Sequence, residues 1–327
     1  MATSFTNGLS YEVKHDPKIF AEVLAKSYTL DNENISIIPN VKATSVKINK
    51  FGATKSGLVQ TDGRDCAWTP NGAVTLGEKT INLAELKVQV EICKEDLDEL
   101  LSQEQYKSIK RGEVPPEFED ILVSTLQNAI GQDNERFIWT ATTTGSADPV
   151  NGLVAQLTAD SDVIDYAMTA PSVSSIAANV AGAINSLPIP VLDANDTASS
   201  KEERVFAYIS PANWRLLLMA FSNASIAPTN TNVQMPNWTK QGEGDSLRIF
   251  YLGVEVVKAG IDNNHIVVGQ KGNLIVATDL MEDATLTAES GKEPTTKNKL
   301  FIEAKYKFGV GYAYGSEIVL ATYTAEG

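Results

Sequence analysis

The spacing of apolar residues divides the chain into strands and helices. Residues 41–50 alternate with a period of two and predict a strand, and a second alternation runs from Ile81 to Ile92. From Pro116 onward, apolar residues recur at three- and four-residue steps as far as Phe137, which predicts a helix to about residue 141. At about 1.5 Å per residue, this helix would be roughly 35 to 40 Å long. Its predicted apolar stripe comprises Phe118, Ile121, Leu122, Thr125, Leu126, Ala129 and Ile130.

The segment between the two predicted strands, residues 51–80, is rich in glycine and in Asp/Asn turn signals, including Asn71-Gly72 beside Pro70. This composition predicts a long projecting hairpin. Such a loop is longer than compact domains usually contain. We therefore expect it to contact another chain.

Trp68 lies near the predicted tip of this hairpin. An exposed aromatic residue there either packs locally within its own chain or inserts as an anchor into a neighbouring subunit. The length of the loop favours the anchor. Basic residues of the same loop either meet an acidic helix of a neighbour or serve solubility. The residues expected to make the intersubunit contact are Lys50, Lys55, Val59, Arg64, Trp68 and Val74.

The remaining segments predict a mixture of helices and strands. An acidic helix at 94–110 ends before Pro115-Pro116, because the residue before a proline resists the helical conformation. Two further helices are expected at 172–187 and at 210–223, where Ser210 caps Pro211. The predicted strands are a buried one at 204–210, three short runs at 247–260, 265–272 and 273–280, and a closing pair within 284–322. This order of elements predicts an α+β fold.

Composition narrows the class of protein. The 327 residues carry a formal net charge of −14, which argues against a dedicated nucleic-acid reader with a basic face and leaves weak or indirect contact with DNA open. Because no apolar run approaches the ~20 residues that span a bilayer, we expect no membrane segment. Cys66 and Cys93 are too few for a disulfide framework, so two reduced thiols are expected.

The sequence offers little catalytic chemistry. His15 and His265 have no partner at metal-ligand spacing, and no nucleophile elbow, P-loop or dinucleotide-binding motif is present. The glycines of the 309–315 segment, GVGYAYG, lie in a strand pattern and favour twist or close chain approach. The acidic cluster at 95–100 is either a pair of catalytic carboxylates or, as we favour, a solvated helix face. We expect no catalytic residues, no cofactor and no metal.

Three stretches carry a resemblance to a known family. The segment at 86–101, before the long predicted helix, is similar to a junction between an extended loop and a spine helix. The segment at 208–221 is similar to the strand, proline turn and helix of an axial domain. The segment at 251–279 places Leu252, Gly253, Val256, Val257, Val268, Gly269 and Lys271 as in the family pattern. In the order of its elements the chain resembles the major capsid protein of tailed bacteriophages, of the Hong Kong 97 type.

The resemblance implies a domain plan. It divides the chain into an N-terminal arm with a short helix (1–40), an extended hairpin loop (41–93), a peripheral domain with the spine helix and returning strands (94–149 and 275–327) and an axial domain (150–274).

The resemblance also implies a function. We expect hexamers and pentamers that form an icosahedral phage head around double-stranded DNA, assembled in the host bacterial cytoplasm. The short arm implies a separate scaffolding protein, and a portal and decoration proteins are expected partners. The alternatives are an encapsulin-like nanocompartment shell, which has the same fold, and a soluble α/β enzyme.

Overall fold

The architecture is α+β, as predicted. The structure, a computed structural model, describes residues 27–31, 33–53, 74–93, 116–144, 148–226, 237–242, 247–279, 285–290 and 299–324. Within these residues the strands form a five-stranded sheet, a seven-stranded sheet and a two-stranded hairpin. The helices are α1 (Tyr28–Asp31), α2 (Pro116–Trp139), α3 (Leu153–Ala159), α4 (Ile176–Asn185), α5 (Ile189–Asp196) and α6 (Pro211–Ile226).

The five-stranded sheet is built on one long strand. The strands are β1 (Ser36–Ile38), β4 (Ala84–Cys93), β11 (Leu274–Thr278), β12 (Thr285–Ser290) and the long strand, β13 (Lys299–Tyr312). The N-terminal part of β13 pairs on one edge with β12 and on the other with β4. Its C-terminal part pairs with β11, which in turn pairs with β1. Because β13 has 14 residues, it joins segments from both ends of the chain.

The seven-stranded sheet has the order β5-β14-β10-β6-β9-β8-β7. Its strands are β5 (Ile164–Ala167), β6 (Val205–Ile209), β7 (Trp238–Gln241), β8 (Arg248–Tyr251), β9 (Val254–Lys258), β10 (His265–Gln270) and β14 (Ile318–Thr322). Side chains alternate across a strand. Val205, Ala207 and Ile209 of β6 therefore join a core with α4, α5 and α6, whereas Phe206 and Tyr208 join a second core with α2, α3 and the five-stranded sheet.

Helix α2 matches the predicted long helix closely, spanning 24 residues. Ile130 and Phe137 are buried as expected, and Trp139 packs on Tyr208 with ring centroids 4.9 Å apart. Ala129 was expected in the buried stripe and is exposed, because the buried line passes through Ile130 and Asn134. The first residues of the stripe, at 118–126, have side chains outside the described set.

Two strands pair differently from their predicted positions. β4, expected in the hairpin loop, pairs along its whole length with β13. β14, expected among the returning strands of the peripheral domain, pairs with β10 and β5 in the seven-stranded sheet. Both pairings join segments far apart in sequence, where local spacing carries no signal. The domain boundaries themselves stay a prediction.

The local predictions for α6 and for the central strands can be checked directly. Ser210 Oγ accepts a hydrogen bond from the Asn213 amide at 3.1 Å, which confirms the predicted N-cap. The run at 247–260 was expected to be one strand and is two, β8 and β9. The chain reverses at Leu252 and Gly253, whose φ angles are +48° and +83°, as a tight two-residue hairpin requires.

Some expectations fall on residues that the structure does not describe. The short helix of the arm near Ile19 and the acidic helix at 94–110 both lie there. Among the described helices none is long and apolar enough to cross a bilayer alone, and only the sharply bent pair α4 and α5 reaches the required length and composition when taken together.

Candidate functional site

The two-stranded hairpin is the candidate contact surface. Its strands are β2 (Ser45–Ala53) and β3 (Val74–Asn82), and neither pairs with any other described strand. The register places Ile48 opposite Lys79 and Lys50 opposite Gly77, which assigns these residues to one face. That inward face is largely covered, whereas the outward face is mostly exposed. The described outward residues are Ser45, Lys47, Asn49, Leu76, Glu78, Thr80 and Asn82.

Leu76 is the most exposed large apolar residue of the described part of the chain, with 74% of its surface accessible. It lies on the outward face, opposite Phe51 in the ladder. A two-stranded hairpin is marginally stable by itself in water. Among the described outward side chains Leu76 is the apolar one, and it is the candidate contact residue there.

Of the residues predicted to contact a neighbour, Lys50 is described in full. It is partly buried, and its Nζ lies 5.7 Å from the centre of the Tyr314 ring in the same chain. Val74 pairs with Ala53 at the end of the described ladder. Lys55, Val59, Arg64 and Trp68 lie in 54–73, outside the described residues, so their role stays a prediction.

The base of the hairpin carries a charged cluster that the sequence did not reveal. Lys79 Nζ lies 3.2 Å from the centre of the Tyr312 ring and 3.4 Å from Asp160 Oδ2. The Tyr312 hydroxyl donates to the same carboxylate oxygen at 2.6 Å. Lys79 and Asp160, which are far apart in sequence, therefore both contact the Tyr312 side chain.

The surroundings shift the titration of all three groups. Burial lowers the pKa of Lys79, partly offset by the hydrogen bond to Asp160. The hydrogen bond from Tyr312, followed by that from the backbone of Asp162, lowers the pKa of Asp160. Burial and then the neighbouring carboxylate raise the pKa of Tyr312. At neutral pH the cluster therefore holds an anionic Asp160 and a neutral Tyr312.

A second group of exposed apolar residues belongs to the seven-stranded sheet and its helices. Ile189 at the start of α5, Met219 on α6 and Leu252 at the β8–β9 turn each have more than half of their surface accessible. Helix α6 is apolar around much of its circumference, and a helix of this kind is normally covered on several sides. This region is a further candidate for contact with another chain.

Glu135 of α2 binds Ser27 and Thr29, which are among the first residues that the structure describes. The Glu135 carboxylate, 6% exposed, accepts hydrogen bonds from the Ser27 hydroxyl, from the amide and hydroxyl of Thr29, and from the Gly260 amide at 2.6 Å. Sequence reasoning missed this site. Its signal is a pair of polar residues, Asn134 and Glu135, within an otherwise apolar helical stripe.

The described residues contain no group of three or more histidine, cysteine, aspartate or glutamate side chains placed to hold a metal. His265 Nδ1 lies 2.6 Å from Asp262, and this contact lowers the pKa of that carboxyl. His15 and the acidic cluster at 95–100 lie outside the described residues.

A cleft of about 350 Å³ lies beside β6, β8 and β9. Among the residues lining it are Arg204 and Glu255, and burial raises the pKa of Glu255 against the opposing effect of Arg248. Arg248 Nε lies 3.5 Å from the Glu255 carboxylate, so the charge of Glu255 has a partner. We assign no ligand to this cleft.

Comparison with solved structures identifies the fold. A chain from the capsid of an empty GTA particle aligns with a TM-score of 0.51 and 14% identity, over 99% of this chain and 96% of that one. A chain of the satellite phage P4 procapsid, whose structure includes a size determination protein, aligns with a TM-score of 0.57 and 10% identity, over 98% and 94%. A chain of the cyanophage P-SCSP1u capsid aligns with a TM-score of 0.51 and 15% identity, over 90% and 88%. The fold is the Hong Kong 97 type that the sequence predicted.

No protein-family model matches the sequence, and no curated protein matches it at a significant level. The similarity to these capsid chains therefore lies in the fold, and function has to be argued from the surfaces of this chain.

Proposed function

We propose that this chain is the major capsid protein of a tailed bacteriophage, which assembles as hexamers and pentamers into an icosahedral head around double-stranded DNA. The observation that carries the proposal is the extent of the structural match. The alignment with the GTA capsid chain covers 99% of one chain and 96% of the other. The shared fold therefore accounts for nearly the whole of this sequence.

The hairpin supports this proposal because it carries an exposed apolar side chain on its outward face. Leu76 is exposed there, and the ladder of β2 and β3 has no third described strand to support it. In the assembled head this arm lies on a neighbouring subunit, with Val59 and Trp68 as apolar contacts and Lys55 and Arg64 as charged ones. Symmetry repeats each contact over many subunits, so weak individual interfaces suffice for a stable shell.

The charge of the chain suits a container for DNA. A net charge of −14 disfavours adhesion of packaged phosphates to the shell. Contact with DNA is accordingly indirect, and the chain itself performs no catalysis. A separate scaffolding protein, a portal and decoration proteins complete the head, which is assembled in the bacterial cytoplasm.

Size and images of the purified protein test the proposal. We expect size-exclusion chromatography and negative-stain electron microscopy to show capsomers or closed shells. An oligomer smaller than a pentamer at every concentration would contradict the proposal and favour a soluble enzyme. Particles from phage-infected cells should contain nuclease-protected double-stranded DNA. Shells that enclose protein cargo and no DNA would instead favour an encapsulin-like compartment.

Deletion of residues 56–72 tests the role of the hairpin tip. The β2–β3 ladder ends at Ala53 and Val74, so the deletion leaves every described pair of the hairpin in place. We expect a folded subunit with a normal circular dichroism spectrum that no longer forms shells. Normal shells from the deleted protein would contradict the intersubunit role of the tip, and so would an unfolded subunit.

A further inference from the structure

The hairpin leaves the body of the subunit along the end of β13. β4 pairs with β13 as far as Ala84 and Phe308. Beyond this pair, β3 continues beside Gly309 and Gly311. A Cβ atom at Gly309 would lie 2.6 Å from the Asn82 carbonyl oxygen, and one at Gly311 would lie 2.8 Å from Ile81 Cγ1. The two glycines therefore permit a close approach, because a side chain at Gly309 would meet backbone and one at Gly311 would force the Ile81 side chain to shift.

Aromatic rings continue this contact where the glycines end. Tyr312 carries the Lys79 ammonium over its ring at 3.2 Å from the ring centre, and Asp160 binds both side chains. A desolvated ammonium above an aromatic face is attracted by the negative potential of that face, and more strongly than in water. Because Asp160 also accepts from the Tyr312 hydroxyl, the ring itself is held in place.

One step further along the hairpin, Lys50 faces Tyr314 at 5.7 Å from the ring centre. Lys50 and Lys79 occupy neighbouring positions on the inward face, since their ladder partners are Gly77 and Ile48. Two lysines of the hairpin thus stand over two tyrosines of the segment after the glycines. The segment GVGYAYG supplies both the close approach and the two rings.

We propose that Gly309–Tyr314, together with Asp160, forms a seat that sets the direction in which the hairpin leaves the subunit, and that Lys79 and Tyr312 are its positioning residues. The hairpin pairs with no other described strand, so its direction is fixed at its base. A rotation of about 5° there displaces the far end of the described ladder, roughly 30 Å away, by roughly 2–3 Å. This inference rests on the proposed function, because the hairpin direction matters where a neighbouring subunit receives it.

Hydrogen exchange of the free subunit tests the seat independently of assembly. Lys79→Met removes the charge above Tyr312 and preserves most of the side-chain volume. We expect the amides of β2 and β3 to exchange about tenfold faster in this variant, as a locally loosened unit does. Lys47→Met is the matched control, because Lys47 is on the same hairpin, faces outward and pairs only with Glu78 among the described carboxylates. It should exchange like the wild-type protein.

Two further variants keep the outcome interpretable. Lys79→Arg retains a cation above the ring and should restore wild-type exchange. Tyr312→Phe retains the ring but loses the hydrogen bond to Asp160, and should give a smaller acceleration than Lys79→Met. If Lys79→Met exchanges no faster than Lys47→Met, the seat does not hold the hairpin. If both Lys79→Met and Lys79→Arg unfold, Tyr312→Phe decides in the same assay.

Assembly then tests the role in the shell. Wild-type protein and Lys79→Arg should form particles of uniform diameter, whereas Lys79→Met should form fewer particles with a wide spread of diameters. Uniform Lys79→Met particles, in spite of a loosened hairpin, would overturn the positioning role. If the wild-type protein forms neither capsomers nor shells, the proposed function fails, and the exchange comparison alone decides whether the seat holds the hairpin.

Discussion

Trp139 and Thr29 are joined by a hydrogen bond of 2.8 Å from the indole Nε1 to the threonine hydroxyl, and both side chains are fully buried. The same hydroxyl donates to Glu135 at 2.6 Å. The end of α2 therefore holds residues 27–29 by a connected set of hydrogen bonds. Each member is buried, so the loss of one acceptor leaves several donors without a partner.

Glu135→Gln should destabilise the protein by about 2–4 kcal/mol, because an amide cannot accept from all of the donors that the carboxylate satisfies. The free energy of unfolding in urea measures this effect. Asp133→Asn is the control, since Asp133 is on the same helix with 62% of its side chain exposed. Equal stability of the two variants would show that Glu135 does not hold the N-terminal segment.

The stabilising effect of Asp160 should depend on pH. Its pKa in the folded protein is lowered, chiefly by the Tyr312 hydrogen bond, relative to about 3.9 in an unfolded chain. A lowered pKa contributes stability above the unfolded value, and this contribution is lost as the pH falls through the folded value. Unfolding experiments should find wild type more stable than Asp160→Asn at pH 6, with the difference shrinking below about pH 4. A difference that is constant from pH 6 to pH 2 would contradict this.

Alanine at the two glycines of β13 should have graded effects. Gly309→Ala places a methyl group against the Asn82 backbone, which cannot rotate away, whereas Gly311→Ala meets the Ile81 side chain, which can adjust. We expect a larger loss of stability at Gly309, with both losses in the range of about 1–3 kcal/mol. Gly77→Ala is the control, because its nearest contact is an ordinary 3.8 Å. Thermal or urea unfolding gives the ranking, and a reversed order would contradict the close approach of backbone at Gly309.

Leu76→Asp should prevent shell formation without unfolding the subunit. Leu76 is 74% exposed in the free chain, so a charge there has little effect on folding, but it opposes burial against a neighbour. Leu76→Met is the matched control, because it stays apolar and should assemble normally. Light scattering follows assembly, and circular dichroism checks the fold. Normal assembly of Leu76→Asp would exclude this position from the interface.

The elements predicted best from sequence are those whose signal is local. The long helix follows from its three- and four-residue spacing, and the close approach at Gly309 and Gly311 follows from glycines within a strand pattern. The pairing of β4 with β13 was missed because its partners are more than 200 positions apart. Lys50 was assigned to a neighbour from its charge and loop position, and that role stays a prediction. Its contact with Tyr314 of the same chain was not foreseen. No local pattern encodes such a distant partner.

The seven-stranded sheet has a consequence for how the chain unfolds, because its strand β6 contributes side chains to both cores. All five residues of β6 are buried, and successive ones enter opposite cores. If one core loses its packing, one face of β6 becomes exposed. The other core depends on the same strand. The two cores therefore share their stability, and heat or denaturant should melt them in a single transition with coincident signals from Trp139 in one and Trp214 in the other. A substitution that loosens the packing of one core should therefore also lower the stability of the other.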